Sequence, residues 1–190
     1  MSILVLGLVL FLGAHSVRIV APGIRSGIIE RGGMGAWMIP YAAVSVIGLV
    51  LIVIGYGVAR EAPVIVTEPP AGLRHLALAL MLPVFPLLLA AYLPGRIRAR
   101  LRHPMLIATV IWGVAHLLAN GTLADILLFG GFALWALIDI FSISGRSETP
   151  ARTVKVSHWR NDLVAVVAGL AIYAAFVARL HDWLVGVSPI

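Results

Sequence analysis

Two histidines, His15 and His116, are sunk inside strongly apolar stretches. The second belongs to "HPMLIATVIWGVAHLLANG" (103–121), in which His103 stands at the mouth of the run and His116 thirteen residues further in. On a helix that step is ~20 Å. A lipid-facing helix has no use for an imidazole at such depth. Polar groups inside membrane helices face the bundle and serve a site. The structural alternative is a bond from each ring to a neighbouring carbonyl or to Asn120. The chemical one is metal ligation, and a neutral imidazole is an axial ligand for haem iron.

The neighbours on the helix faces bear on this choice. Gly113, Ala119 and Asn120 lie three or four positions from His116, with Trp112 on the same side. Gly13 and Ala14 adjoin His15, and Arg18 follows one turn on. Small residues let a flat group approach the backbone, although they also promote ordinary helix packing. Arg18, with one of Arg96 to Arg102, suits the propionates of a haem. The remaining histidines read more plainly. His158 lies in a polar stretch, and His75 and His181 lie near the outer ends of spans. His103 precedes Pro104, a helix-entry pattern that sets it at the membrane interface. Two deep histidines are too few for a zinc site. With no cysteine, disulfides, thiol catalysis and iron–sulfur clusters are excluded. No Gly-x-Ser-x-Gly elbow marks a hydrolase.

These residues need a scaffold, and composition names its solvent. The chain has 190 residues, 61% hydrophobic and only 12% charged, with mean hydropathy +1.05. A soluble domain carries about a quarter charged residues, so the class is integral membrane. Six apolar segments emerge, at about 2–20, 36–58, 74–93, 104–120, 123–143 and 162–186. All are expected to be helices, because lipid offers no water to open backbone groups. The expected fold is therefore an all-α polytopic bundle of about six spans, a single transmembrane domain over 1–190. Pro83 and Pro86 predict a kink in the third span, relieved by its neighbours. The N-terminal run has no positive residues before it and is expected to be a retained span. The residues from 144 to 162 read as a loop.

Eleven of the 14 Lys and Arg residues fall in the connections on one side of these spans. Only Arg60, Arg74 and Arg179 fall on the other. The bias places the eleven in the cytoplasm and both termini outside. The net charge of +6 thus reads as topology and lipid contact, and no basic groove points to nucleic acid.

"FLGAHSVRIVAPGIR" (11–25) and "RHPMLIATVIWGVAHLLANGTLADILLFGGFALWALID" (102–139) closely resemble the NnrU family. These are bacterial membrane proteins associated with denitrification and with nitrite and nitric oxide reduction. The resemblance covers most of the chain. It implies a protein of the bacterial inner membrane, with components of nitrite or nitric oxide reductase as possible partners. The same family includes the 15-cis-zeta-carotene isomerase, a haem b membrane protein, so a haem-dependent cis–trans isomerase is the enzymatic alternative. A scaffold or transporter without cofactor is the blander one. The resemblance implies haem b with two ligand histidines, which fall on His15 and His116. The isomerase has a further histidine whose position falls near Tyr56, whereas this chain has none between His15 and His75. That departure separates the chain from the isomerase's ligand switching.

Overall fold

The computed structural model describes residues 1–144 and 158–189. In chain order its helices are α1 (Ser2–Val20), α2 (Pro22–Glu61), α3 (Gly72–Met81), α4 (Val84–Ala90), α5 (Arg96–Leu101), α6 (Pro104–Ala119), α7 (Leu123–Asp125), α8 (Gly131–Ser144), α9 (Trp159–Ala175) and α10 (His181–Val185). A π-helical turn, Ile126–Gly130, joins α7 to α8, and a second, Phe176–Leu180, joins α9 to α10. Five stretches are long and apolar enough to cross a membrane: α1, α2, Gly72–Ala90, Leu123–Ile143 and Trp159–Val185. The sixth apolar helix, α6, has 16 residues and covers ~24 Å. Pro104 starts it, and the extended backbone of Asn120 stops it. The expected helical membrane bundle is the fold. Large apolar side chains such as Val9, Val53, Leu134 and Val167 point out of it, as lipid-facing residues do.

The crossing segments alternate in direction, which gives the bundle two ends. One, the terminal end, carries Met1, the end of α10, the α2–α3 connection and the α6–α7 turn. The far end carries the α1–α2 turn, α5 and the start of α9. At the terminal end Ile65 pairs with Thr122 in an isolated antiparallel bridge, and Arg60 Nη1 donates to the Val185 carbonyl at 2.6 Å. At the far end the Asp162 carboxylate of α9 accepts from the backbone N–H groups of Arg96 and Ile97, at 2.9 and 3.0 Å. Those donors are orphans at the start of α5, so the carboxylate satisfies them.

Two features depart from the segment pattern. The connection after the first span is helical rather than a loop, and α2 begins at Pro22. The break comes at Gly33, whose φ of 76° and ψ of 175° no helix contains. Before it, Arg25 and Arg31 share one short helical stretch with Ile24 and Ile28. The polar stretch read as a loop lies mostly outside the described residues, with Arg146, Arg152 and Lys155 in that part.

The proline break falls where the sequence predicts it. α3 ends at Met81, and Leu82 N–H bonds back only three residues, to Ala79 O at 3.3 Å. That shift leaves the Leu78 carbonyl without its helical donor. The Tyr173 hydroxyl of α9 supplies one at 3.0 Å. A neighbouring helix thus restores the bond that Pro83 disturbs.

Helix α1 packs on α2 through glycines. A Cβ at Gly48 would lie 2.7 Å from Phe11 N, and one at Gly55 would lie 2.3 Å from Leu4 N. Only hydrogen side chains let the two backbones come this close. Leu4, Leu8 and Ile52 then join Ala124, Leu128 and Phe129 in one buried cluster, which locks the α1–α2 pair onto the fifth span.

Candidate functional site

His15 sits in the half of α1 nearer the far end. Its ring stacks on Phe11 at 4.3 Å and meets Tyr41 of α2 at 5.3 Å and Trp135 of α8, edge-on, at 5.9 Å. Its Nδ1 lies 2.7 Å from the Phe11 carbonyl. A carbonyl only accepts, so Nδ1 carries the proton and donates, and Nε2 of the neutral ring holds the lone pair. The indole Nε1–H of Trp135 is buried and has no hydrogen-bond partner among the described residues. An open donor therefore stands near an open acceptor at this end.

His116 sits three residues from the end of α6, at the terminal end. Its Nδ1 donates to the Trp112 carbonyl at 2.8 Å, which again fixes the tautomer and leaves Nε2 to an outside partner. Its ring stacks on Phe129 at 4.4 Å, with planes 24° apart. Phe129 lies in the π-helical turn Ile126–Gly130. Such a turn carries one residue more than an α-turn, which rotates the later residues by about 100° and sets this ring against the histidine. The third neighbour is unexpected: the His181 ring lies 6.4 Å away, with planes 26° apart.

The two deep imidazoles are not in ring contact with each other among the described residues. They are linked in series instead: His15 to Phe11 at 4.3 Å, Phe11 to Phe132 at 5.6 Å, Phe132 to Trp112 at 5.8 Å, and Trp112 to His116 at 5.2 Å. Their anchors on the fifth span, Trp135 and Phe129, differ by six positions, roughly 9 Å of axial rise. The reason lies in chain direction. α1 and α6 run opposite ways between the two ends, so a residue late in each comes to a different depth. As placed, the pair does not fit one macrocycle held from both faces. Each ring by itself has the donor chemistry of a haem ligand.

The other expected site residues have plainer surroundings. Gly113 does not open a slot for a flat group. A Cβ there would meet Phe129 O at 2.6 Å and the Ala133 Cβ at 2.8 Å, so the space belongs to the α6–α8 crossing. Asn120 caps α6: its amide donates to the His116 carbonyl at 2.9 Å rather than to the ring. His103 is the residue before the first turn of α6, as the helix-entry reading has it, and it lies at the far end away from His116. Arg18 lies in the last turn of α1, near the same end as His15.

Sequence reasoning passed over two residues at the terminal end. Asp125 is 4% exposed and is the buried charged residue of the described core. Its carboxylate accepts from the Tyr56 hydroxyl at 2.6 Å, the Thr122 N–H at 3.0 Å and the Thr122 hydroxyl at 2.7 Å. "TLAD" is a capping box, Thr122 Oγ1 accepting from Asp125 N–H, and that pattern was visible in the sequence. His181 left no such signal, because its depth resembles that of any interfacial histidine.

A helical membrane protein whose deep imidazoles are held by backbone carbonyls is the class that fold and site define. Residues 3–189 match the family model described as "NnrU protein", and the chain belongs to that family. No curated protein and no solved structure matches it.

Proposed function

We propose that this NnrU-family protein is a haem-b-binding protein of the bacterial inner membrane that serves nitrogen-oxide respiration in a redox or nitric-oxide-related role, alongside nitrite or nitric oxide reductase components. The observation that carries the reading is the state of His116. A neutral imidazole inside an apolar helix has Nδ1 fixed on a carbonyl, an aromatic ring stacked on one side, and Nε2 without a hydrogen bond among the described residues. A histidine kept only for structure has no need of that free lone pair, whereas ligating histidines commonly hold their second nitrogen in this way. Haem b supplies an iron that cycles between ferric and ferrous and takes diatomic ligands. The protein's part is to orient the ring, to keep it neutral and to exclude water with Phe129 and Trp112.

The test is the absorption spectrum and haem content of the full chain purified in detergent. Wild type is expected to carry haem b, and His116→Ala to lose most of it or to lose its low-spin spectrum. Wild type purified from haem-replete cells without haem would overturn the reading.

A further inference from the structure

Helix α5 and its C-cap carry four arginines at the far end of the bundle: Arg96, Arg98, Arg100 and Arg102. All four are exposed. Position in the chain fixes their depth. The spanning stretch before α5 ends at Ala90, and Pro104 opens the next apolar helix, so α5 lies where the chain leaves the hydrocarbon and re-enters it. Tyr92, 73% exposed, precedes it, and Trp159, 57% exposed, opens the helix that clasps it. Aromatic side chains of this kind settle at headgroup level.

A charge bias between the two sides of a membrane needs only arginines in a loop. Here they stand on a fixed platform. The Asp162 carboxylate holds the N–H groups of Arg96 and Ile97, and the Asn161 amide donates to the Pro94 carbonyl at 2.9 Å. Ile97 packs against the buried cluster of Val84, Leu87 and Ala108. The chain then turns through Arg102, φ 60°, the one non-glycine residue with positive φ among the described residues, and its N–H donates to the Arg98 carbonyl at 2.9 Å. At about 100° per residue, Arg96 and Arg100 fall on one side of the line through Ile97 and Leu101, and Arg98 falls on the other. Like charges one turn apart repel. The nearby carboxylate of Asp162 is taken up by backbone donors, and no carboxylate pairs with these four side chains among the described residues. The cluster therefore calls for an outside anion. Every basic residue in it is arginine, whose planar fork of donors matches the oxygens of a phosphate.

We infer that α5 binds the phosphate groups of anionic phospholipids, held ready at headgroup level by Asp162 and Ile97. The site lies at the end opposite His116 and owes nothing to haem. The experiment uses the full chain in neutral detergent with added phosphatidylglycerol, phosphatidylcholine or inorganic phosphate. Retained lipid is read by native mass spectrometry, and stability by the unfolding temperature. Wild type is expected to retain phosphatidylglycerol and to unfold at a higher temperature with it, but not with phosphatidylcholine or inorganic phosphate. Arg98→Gln/Arg100→Gln is expected to bind phosphatidylglycerol roughly 25-fold more weakly, about fivefold for each charge removed. Arg25→Gln/Arg31→Gln removes the same charge from another helix at the same end and is expected to bind as wild type does. Asp162→Ala deletes a negative charge, which by bulk attraction alone would tighten binding, yet it frees α5 and is expected to weaken it. Should Asp162→Ala fail to fold, the two arginine double variants decide. Undiminished binding by Arg98→Gln/Arg100→Gln, an equal loss in both double variants, tighter binding by Asp162→Ala, or an equal shift from phosphatidylcholine or inorganic phosphate overturns the inference.

Discussion

Tyr56 shows how one side chain is fixed by a partner far along the chain. The resemblance to the isomerase implies a further histidine near this position, and here the Tyr56 phenol is committed elsewhere. It donates to Asp125, a carboxylate that the bundle buries to 4% exposure. A buried carboxylate in that setting is tolerated because three donors surround it. Tyr56→Phe removes one of them and leaves a buried carboxylate oxygen without its donor, at a cost of about 1–3 kcal/mol. Thermal unfolding in detergent should show the drop, with the spectrum of any bound haem unchanged below the transition. A Tyr56→Phe protein as stable as wild type would mean that the Tyr56–Asp125 bond adds nothing to stability. The same scale governs the histidines. His15, His116 and His181 each give Nδ1 to a carbonyl, so what separates their roles is only which other ring each one meets.

At the scale of elements, the α1–α2 contact is decided by the absence of side chains. Gly55 faces the Leu4 backbone, where a Cβ would stand 2.3 Å from the nitrogen. Gly55→Val must push the helices apart, and overpacking of this kind costs about 1–3 kcal/mol, occasionally more. The expected result is a lower unfolding temperature and a loosened cluster of Leu4, Ile52 and Phe129. Because Phe129 also stacks on His116, the variant is expected to weaken haem retention as well, measured as haem lost on dilution. Gly57 lies on the same helix with open space around its Cβ direction, so Gly57→Ala is the matched control and should leave both quantities unchanged. The third span makes a complementary point. Its prolines announce a break, but only the packed neighbour, Tyr173, shows how the freed Leu78 carbonyl is satisfied.

For the whole molecule, the two ends carry different tasks. The far end holds α5 with its run of arginines and the carboxylate clasp of Asp162. The terminal end holds the Asp125 network and the His116–His181 pair. By the charge bias, the arginine-rich end is expected in the cytoplasm and the paired histidines near the periplasmic side. Alkaline phosphatase fused to either terminus is therefore expected to be active, and a green fluorescent protein fused to the C-terminus dark. A bright C-terminal fusion would invert the topology and place the histidine pair beside the cytoplasm.

The spans were legible because each is a run of ~20 apolar residues, and hydrocarbon thickness imposes that length whatever the helices pack against. The connection after α1 was not, because residues 21–35 fall between the apolar runs although only Gly33 breaks the helix. His116 could be singled out by its depth, a property of position along one segment. Its partner could not, since His181 is 65 positions away and reaches it only because α6 and α10 finish at the same end. Nor could the sequence reveal the two π-helical turns, since one extra residue per turn leaves hydropathy unchanged while it rotates every later side chain. Class, spans and charge asymmetry thus come from the order of residues alone, because they are set by transfer from water to lipid. Which imidazole faces which, and whether Gly113 admits a ligand or a helix, was decided by tertiary packing, because those outcomes turn on rotations and close approaches between segments far apart in the chain.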